Sequence, residues 1–360
     1  MRREALTASW LLATLVTAVR AQSIPEPHPR PAEREPEYDT VKVDPATPPY
    51  RRLAALSGRI EGGHQDTTKW ITERWAAAFK RIYPNVEFTI EPRTPARAVP
   101  ALVPGAAAFA AASREYLDEE KKGHRAKYGH EALAIAVAGA SYSRLPTGFT
   151  DAMTFFVNKD NPLEKITLAQ LDAIYSTTRK RGYKEDITKW GQLGLTGRWA
   201  EAPVIPYGVE PGGFEQFIKD KVLLGGEYKA QAKTTTTGIN IREQLYPLPF
   251  LVGYVRDAIG YAGFSYVNCA TTNIKSLAIA EGEEGPYYKG TFDEVLSQKY
   301  PLSRVIYVVV NKAPEKSLPP QLSEFLRFIL SREGQQIVVE DGLWLPLPAE
   351  RVRRELAKLE

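Results

Sequence analysis

The chain has 360 residues, of which 43% are hydrophobic and 25% charged, excluding a wholly disordered or collagen-like polymer and predicting two domains or lobes. Its 47 basic and 43 acidic side chains leave a net charge of +4 with no dense Lys/Arg block, so no nucleic-acid partner is expected. Cys269 is the only cysteine, which rules out an internal disulfide, a CxxC redox pair and a cysteine-built zinc site; the reading makes it an inert buried thiol.

Arg2 and Arg3 precede an apolar stretch from Ala5 to Val19, and Val19 and Ala21 supply small residues at a cleavage position. This order predicts a secretory signal over residues 1–21, removed near Ala21, and a periplasmic or secreted mature chain. About 15 apolar residues fall short of the ~20 that span a bilayer. Residues 22–50 hold eight prolines and are predicted to form an extended tether, because proline removes backbone donors and blocks helices.

From about Arg52 helices and strands alternate. Leu56 to Ile60 reads as a strand ending at Gly62 and Gly63. Asp66 then caps a helix carrying Ile71, Trp75, Ala78, Phe79 and Ile82, which Pro84 stops. Val86, Phe88 and Ile90 alternate as a strand, Ala96 to Leu102 is a short helix, and Ala106 to Ala112 is a buried small-residue strand. A solvated helix is expected over 115–130, and strands at Ala132 to Val137 and Met153 to Val157.

Further along, Thr167 opens a helix, and Val204 to Tyr207 is a strand running into Val209-Glu210-Pro211-Gly212-Gly213 and a helix with Phe214, Phe217, Ile218 and Val222. A helix at Ile239 to Tyr246 and strands at Ile259 to Tyr266 and Arg304 to Val310 follow, then two helices broken near Ser331 and Arg332. The alternation predicts an α/β protein with mainly parallel sheets flanked by helices.

No GxSxG elbow, HExxH helix, Walker loop or dinucleotide-binding glycine motif is present, and no cofactor or metal is expected. The four histidines, His28, His64, His124 and His130, lack ligand spacing. What recurs is a strand, a glycine loop and a helix start, at Gly62 to Thr67 and at Pro211 to Phe214. Helix starts present unpaired N–H groups and partial positive charge, which attract anions. The candidate site therefore takes backbone donors from Gly63, Gly212 and Gly213, with Phe214 beside them. Hydroxyls come from Thr67, Thr94 and Ser113, and positive charge from Arg97 and Arg114.

Several stretches, in order over residues 56–350, resemble the periplasmic phosphate-binding proteins that feed ABC importers, a branch of the type II solute-binding fold. They are DAMTFFVN at 151–158 with Asp160, Asn161 and Pro162, ITLAQLDAIY at 166–175, ITKW at 187–190, IGYAG at 259–263, YPLSR at 300–304 and FLRFILSREGQQ at 325–336. The resemblance implies two lobes joined by two crossing strands, near Asp151 to Val157 and Tyr300 to Val310. Lobe 1 would be 51–150 with 306–360, and lobe 2 would be 151–305. It also implies a phosphate-like oxyanion in the cleft, an ABC permease as partner, and a monomer without enzymatic activity.

The family's second-lobe motif carries an arginine shortly before Ser-Gly-Thr. Here Gly208 or Val209 stands in the arginine's place and Pro211, Gly212 and Gly213 replace the hydroxyl run. Ser113, Arg114 and Glu115 occupy the segment where phosphate binders hold an acidic acceptor. Two alternatives follow from these departures and from the residues: an envelope adaptor that has lost its solute, or a hydrolase pairing Ser113 with His64.

Overall fold

The computed structural model describes residues 36–53, 55–142, 150–209, 211–230, 232, 247–268 and 273–360. The signal segment, the helix expected at 239–246, Glu210 and Cys269 lie outside them.

The first sheet has the order β2-β1-β3-β11-β4, built from β1 (Gly58–His64), β2 (Val86–Pro92), β3 (Phe109–Ala112), β4 (Leu133–Gly139) and β11 (Val305–Val310). Strand β1 is parallel to β2 and β3, the arrangement that the intervening helix α1 (Lys69–Ile82) forces on a crossover connection. Strand β3 is buried on both faces: Phe109 and Ala111 join the core under α1, while Ala110 and Ala112 join a second cluster with Val99 and Leu102. Its alanines let the short helix α2 (Pro95–Ala98) lie close. Gly62 is obligatory there, since a Cβ would fall 2.1 Å from the Phe109 ring.

The second sheet has the order β7-β8-β5-β9, from β5 (Met153–Asn158), β7 (Ile205–Pro206), β8 (Ala258–Gly263) and β9 (Ile274–Ser276). A small parallel pair joins β6 (Lys165–Thr167) to β10 (Ala278–Ala280). Helices α3 (Asp118–Tyr128), α4 (Leu168–Tyr175), α5 (Gly213–Lys221), α6 (Pro247–Tyr254), α7 (Phe264–Asn268) and α8 (Phe292–Leu296) follow in chain order. Then α9 (Pro320–Ile329), α10 (Arg332–Asp341) and α11 (Ala349–Ala357) return to the first sheet. The strand expected through Tyr266 ends at Gly263, where residues 264–268 coil into α7 and turn the Ser265 hydroxyl onto Asp151. No helix among the described residues is long and apolar enough to cross a membrane.

Among the described residues four strand pairs are parallel and four antiparallel, and every antiparallel pair involves β5 or β11. These are the strands entered by the chain as it passes from one sheet to the other. They meet beside the crossing, where Ala140 N donates to Arg304 O at 2.9 Å and Met153 N to Leu302 O at 3.0 Å. Asp151 lies there fully buried, accepting from Ser141 Oγ at 3.0 Å and from the Ser265 hydroxyl. Burial pushes its carboxyl up to about 6, against the pull of the Ser265 and Ser141 hydroxyls and of Arg304.

Residues 36–50 are docked, not a free tether. Nor is the stretch extended throughout, since Pro36–Thr40 winds into a 3-10 helix, and apolar side chains and hydrogen bonds fasten it to both sheets. Tyr38 and Val41 join the second-sheet core, with Tyr38 edge-on to Phe292 at 5.3 Å. The Tyr38 hydroxyl accepts from Tyr142 N at 2.6 Å. On the first-sheet side Asp44 accepts from Ala349 N at 2.9 Å, capping α11, and Tyr50 N donates to Glu333 at 2.6 Å.

Two stability predictions follow. The amides of Ala349 and Ala46 hold the Asp44 carboxyl below its usual range, so Asp44→Ala should cost about 1 kcal/mol at neutral pH. That difference should vanish in urea titrations as pH falls below the ordinary aspartate value of about 3.9. Asp151 acts oppositely: its raised folded value makes the wild type lose stability as pH rises from about 4 to 6, by roughly 3 kcal/mol. Asp151→Asn should remove that loss, and unfolding curves at pH 4.5 and 7 should show the variant gaining on the wild type at the higher pH.

Candidate functional site

Strands β1 and β3 are parallel neighbours, so their C-terminal ends finish side by side and present Gln65 and Ser113 together. Gln65 is buried; its Oε1 accepts from Ser113 N at 3.1 Å and Ser113 Oγ at 3.0 Å. The Ser113 hydroxyl, its proton given to Gln65, accepts from Thr67 Oγ1 at 2.6 Å. The Thr150 hydroxyl donates to Ser113 O. One group in this knot is left over: Gln65 Nε2 is buried with no hydrogen-bond partner among the described residues.

Gly63 lies two residues before Gln65 and so on the same sheet face. Arg93 crosses that glycine, with Cδ and Nε at 3.0 and 3.1 Å from where a Cβ would stand. Its guanidinium pairs with Glu91 at 2.6 Å through Nη2, while Nε is buried without a partner. An unpaired buried donor costs about 1–3 kcal/mol, so these two N–H groups would gain from an acceptor.

The facing half comes from α5. Gly212 is its N-cap, and a Cβ on Gly213 would stand 2.8 Å from Arg114 Cβ and 3.5 Å from Glu115 Oε2. The first turn of α5 therefore rests directly on the segment that follows β3. Glu115 is in turn held by Arg304, with Nε to Oε1 at 3.0 Å and Nη2 to Oε2 at 2.5 Å, both residues being buried. Phe214 covers the guanidinium, its ring centre 4.5 Å from Arg304 Cζ, and Phe217 lies at 5.6 Å. Leaving either member of such a buried pair alone costs about 3–5 kcal/mol.

Of the expected site residues, Gly63, Thr67 and Ser113 come together at the strand ends, and Gly213 and Phe214 meet the segment after Ser113 from across the cleft. Thr94 and Arg97 lie exposed at the start and end of α2, and the Thr94 side chain makes no cap bond. Arg114 stands beside Gly213, but its charge is matched: Glu120 takes both Nη atoms at 2.9 and 2.5 Å, and Glu115 O and Pro95 O accept as well. It brings no spare positive charge to the cleft.

The pairing of Ser113 with His64 is not made. His64 lies on the opposite face of β1 from Gln65, and its ring meets Gln65 O at 3.1 Å and Glu73 at 3.7 Å. Sequence reasoning gave no role to Gln65, Arg304 and Asp151; it has Arg93 only as a residue that follows a strand end, and Glu115 only as part of the segment where phosphate binders hold an acidic acceptor. Gln65 and Arg93 carried a usable signal, each being the first polar residue beyond a strand of the sheet. No group of three or more His, Cys, Asp or Glu among the described residues is arranged to hold a metal.

Residues 54–333 match the family model of the PBP superfamily domain. The chain is 35% identical over 318 residues to the "Phosphate-binding protein PstS" of Pseudomonas aeruginosa, covering 88% of this chain and 92% of that one. It is 26% identical over 305 residues to "Protein SphX" of Synechococcus elongatus, covering 84% and 81%. The solved structure of PstS from Borrelia burgdorferi aligns with a TM-score of 0.48 at 20% identity, over 81% of this chain and 99% of that one. With its two helix-flanked sheets and the amide-lined turns between them, this chain belongs to the PBP superfamily.

Proposed function

We propose that this chain is an exported, monomeric solute-binding protein that captures a phosphate-like oxyanion between two lobes and hands it to an ABC permease. The lobes are 51–150 with 306–360 and 151–305. The observation that carries the reading is the orphaned Gln65 Nε2, set among the Thr67 and Ser113 hydroxyls with the start of α5 packed across the gap. The unpaired amide of Gln65 and the unpaired guanidinium N–H of Arg93 suit an acceptor-only ligand with several oxygens. The phosphate-binding name of the relative from Pseudomonas aeruginosa supports the choice of oxyanion. A ligand touching both lobes favours the closed arrangement over the open one, which is how capture would proceed.

The second reading, an adaptor that has lost its solute, draws on the matched charge of Arg114 and on the Pro211-Gly212-Gly213 run. Melting the mature chain across an anion panel separates the two. A ligand at a hundred times its Kd adds about 2.7 kcal/mol, so inorganic phosphate should raise Tm by several degrees. No shift with phosphate, sulfate or arsenate overturns solute binding and favours the adaptor.

Two variants sharpen the assignment. Gln65→Met removes the unpaired amide and should weaken phosphate binding about tenfold or more in calorimetric titration. Gly213→Ala sets a methyl 2.8 Å from Arg114 Cβ, so the α5 contact should loosen and phosphate affinity fall by roughly tenfold in the same titration.

A further inference from the structure

We propose that Arg304, delivered by the second crossing strand, is the arginine that grips the bound oxyanion from the α5 side, in place of the one missing at residues 207–213. The proposal rests on the solute-binding reading above and names the residue that completes its site.

Arg304 is only 2% exposed, and two of its three nitrogens are spent on Glu115. The third, Nη1, is buried and has no hydrogen-bond partner among the described residues. Guanidinium N–H groups are strong donors that native interiors seldom leave unpaired, so an acceptor is missing at this point. The place is informative. Phe214, the second residue of α5, lies over the guanidinium, and Glu115 Oε2 is the carboxylate oxygen nearest Gly213. The guanidinium that carries Nη1 therefore lies beside the start of α5, where a helix presents its first N–H groups.

The register explains how a residue so distant in sequence arrives there. In the antiparallel β3–β11 ladder Tyr307 faces Ala112, and continuing the pairing backwards brings Arg304 to Glu115. The carboxylate fork on one edge and the Phe214 ring on one face fix the guanidinium plane before any ligand enters. A lysine reaching Glu115 from the same position has no second donor held in a set direction, so arginine is required by geometry as well as charge.

Calorimetric titration of inorganic phosphate into the mature chain tests the assignment. Arg304→Lys, which keeps a cation for Glu115, should bind at least tenfold more weakly with its melting transition still cooperative. The double variant Glu115→Gln/Arg304→Met, which removes both charges together and so avoids a lone buried carboxylate, should lose a hundredfold or more. In the wild type, the arginine side-chain nitrogen spectrum should contain one slowly exchanging guanidinium signal that moves on phosphate addition and is absent from the Arg304 variants. Phosphate affinity within twofold of wild type in either folded variant, or no guanidinium signal responding to phosphate, overturns the role of Arg304 alone. A wild type that takes up no oxyanion overturns the solute-binding reading, and this assignment with it.

Discussion

The buried pair between Glu115 and Arg304 joins two neighbouring strands of the first sheet at the point where the start of α5, beside the second sheet, rests on them. Glu115 follows the central strand β3, Arg304 precedes β11, and the ring that covers the guanidinium comes from α5 beside the second sheet. A carboxylate and a guanidinium withdrawn from water are stable only in good geometry, and here the geometry is supplied by three separate elements. Each element constrains the others: the β3–β11 register sets the reach, the α5 start sets the cover, and the absence of a side chain on Gly213 lets them touch.

That coupling bears on how a site survives when its familiar residues change. Pro211, Gly212 and Gly213 bring no hydroxyl to the cleft, and Arg114 is neutralised by Glu120. Buried donors without partners are instead found on Gln65, Arg93 and Arg304, drawn from three other stretches of chain. A binding site is defined by where donors converge, and that convergence can be met from new positions as long as the strand ends stay in place.

Much of the fold was legible because local chemistry decided it. Pro84 ends α1 at Ile82, Thr167 accepts from Gln170 N to open α4, and Ser331 caps α10 where the two C-terminal helices part. Strands β6, β9 and β10 were not legible, since three residues carry no period. The stretch 264–267 misled because four residues, one of them Ser265, are too few to show a period and read equally as strand or helix. In the site, glycine and hydroxyl residues at strand ends pointed to Gly63, Thr67 and Ser113. Glu115 and Arg304 stand 189 positions apart, and only the tertiary register joins them.

The docked segment 36–50 gives the two sheets a third covalent tie besides the two crossings. Tyr38 packs edge-on to Phe292 in the second-sheet core, while its hydroxyl donates to Leu343 O at 3.4 Å on the first-sheet side. The same hydroxyl accepts from Tyr142 N, beside the place where the chain passes between the sheets, and Asp44 and Tyr50 fasten the segment to the C-terminal helices. One phenol thus joins both halves, and this proline-rich stretch belongs to the folded body.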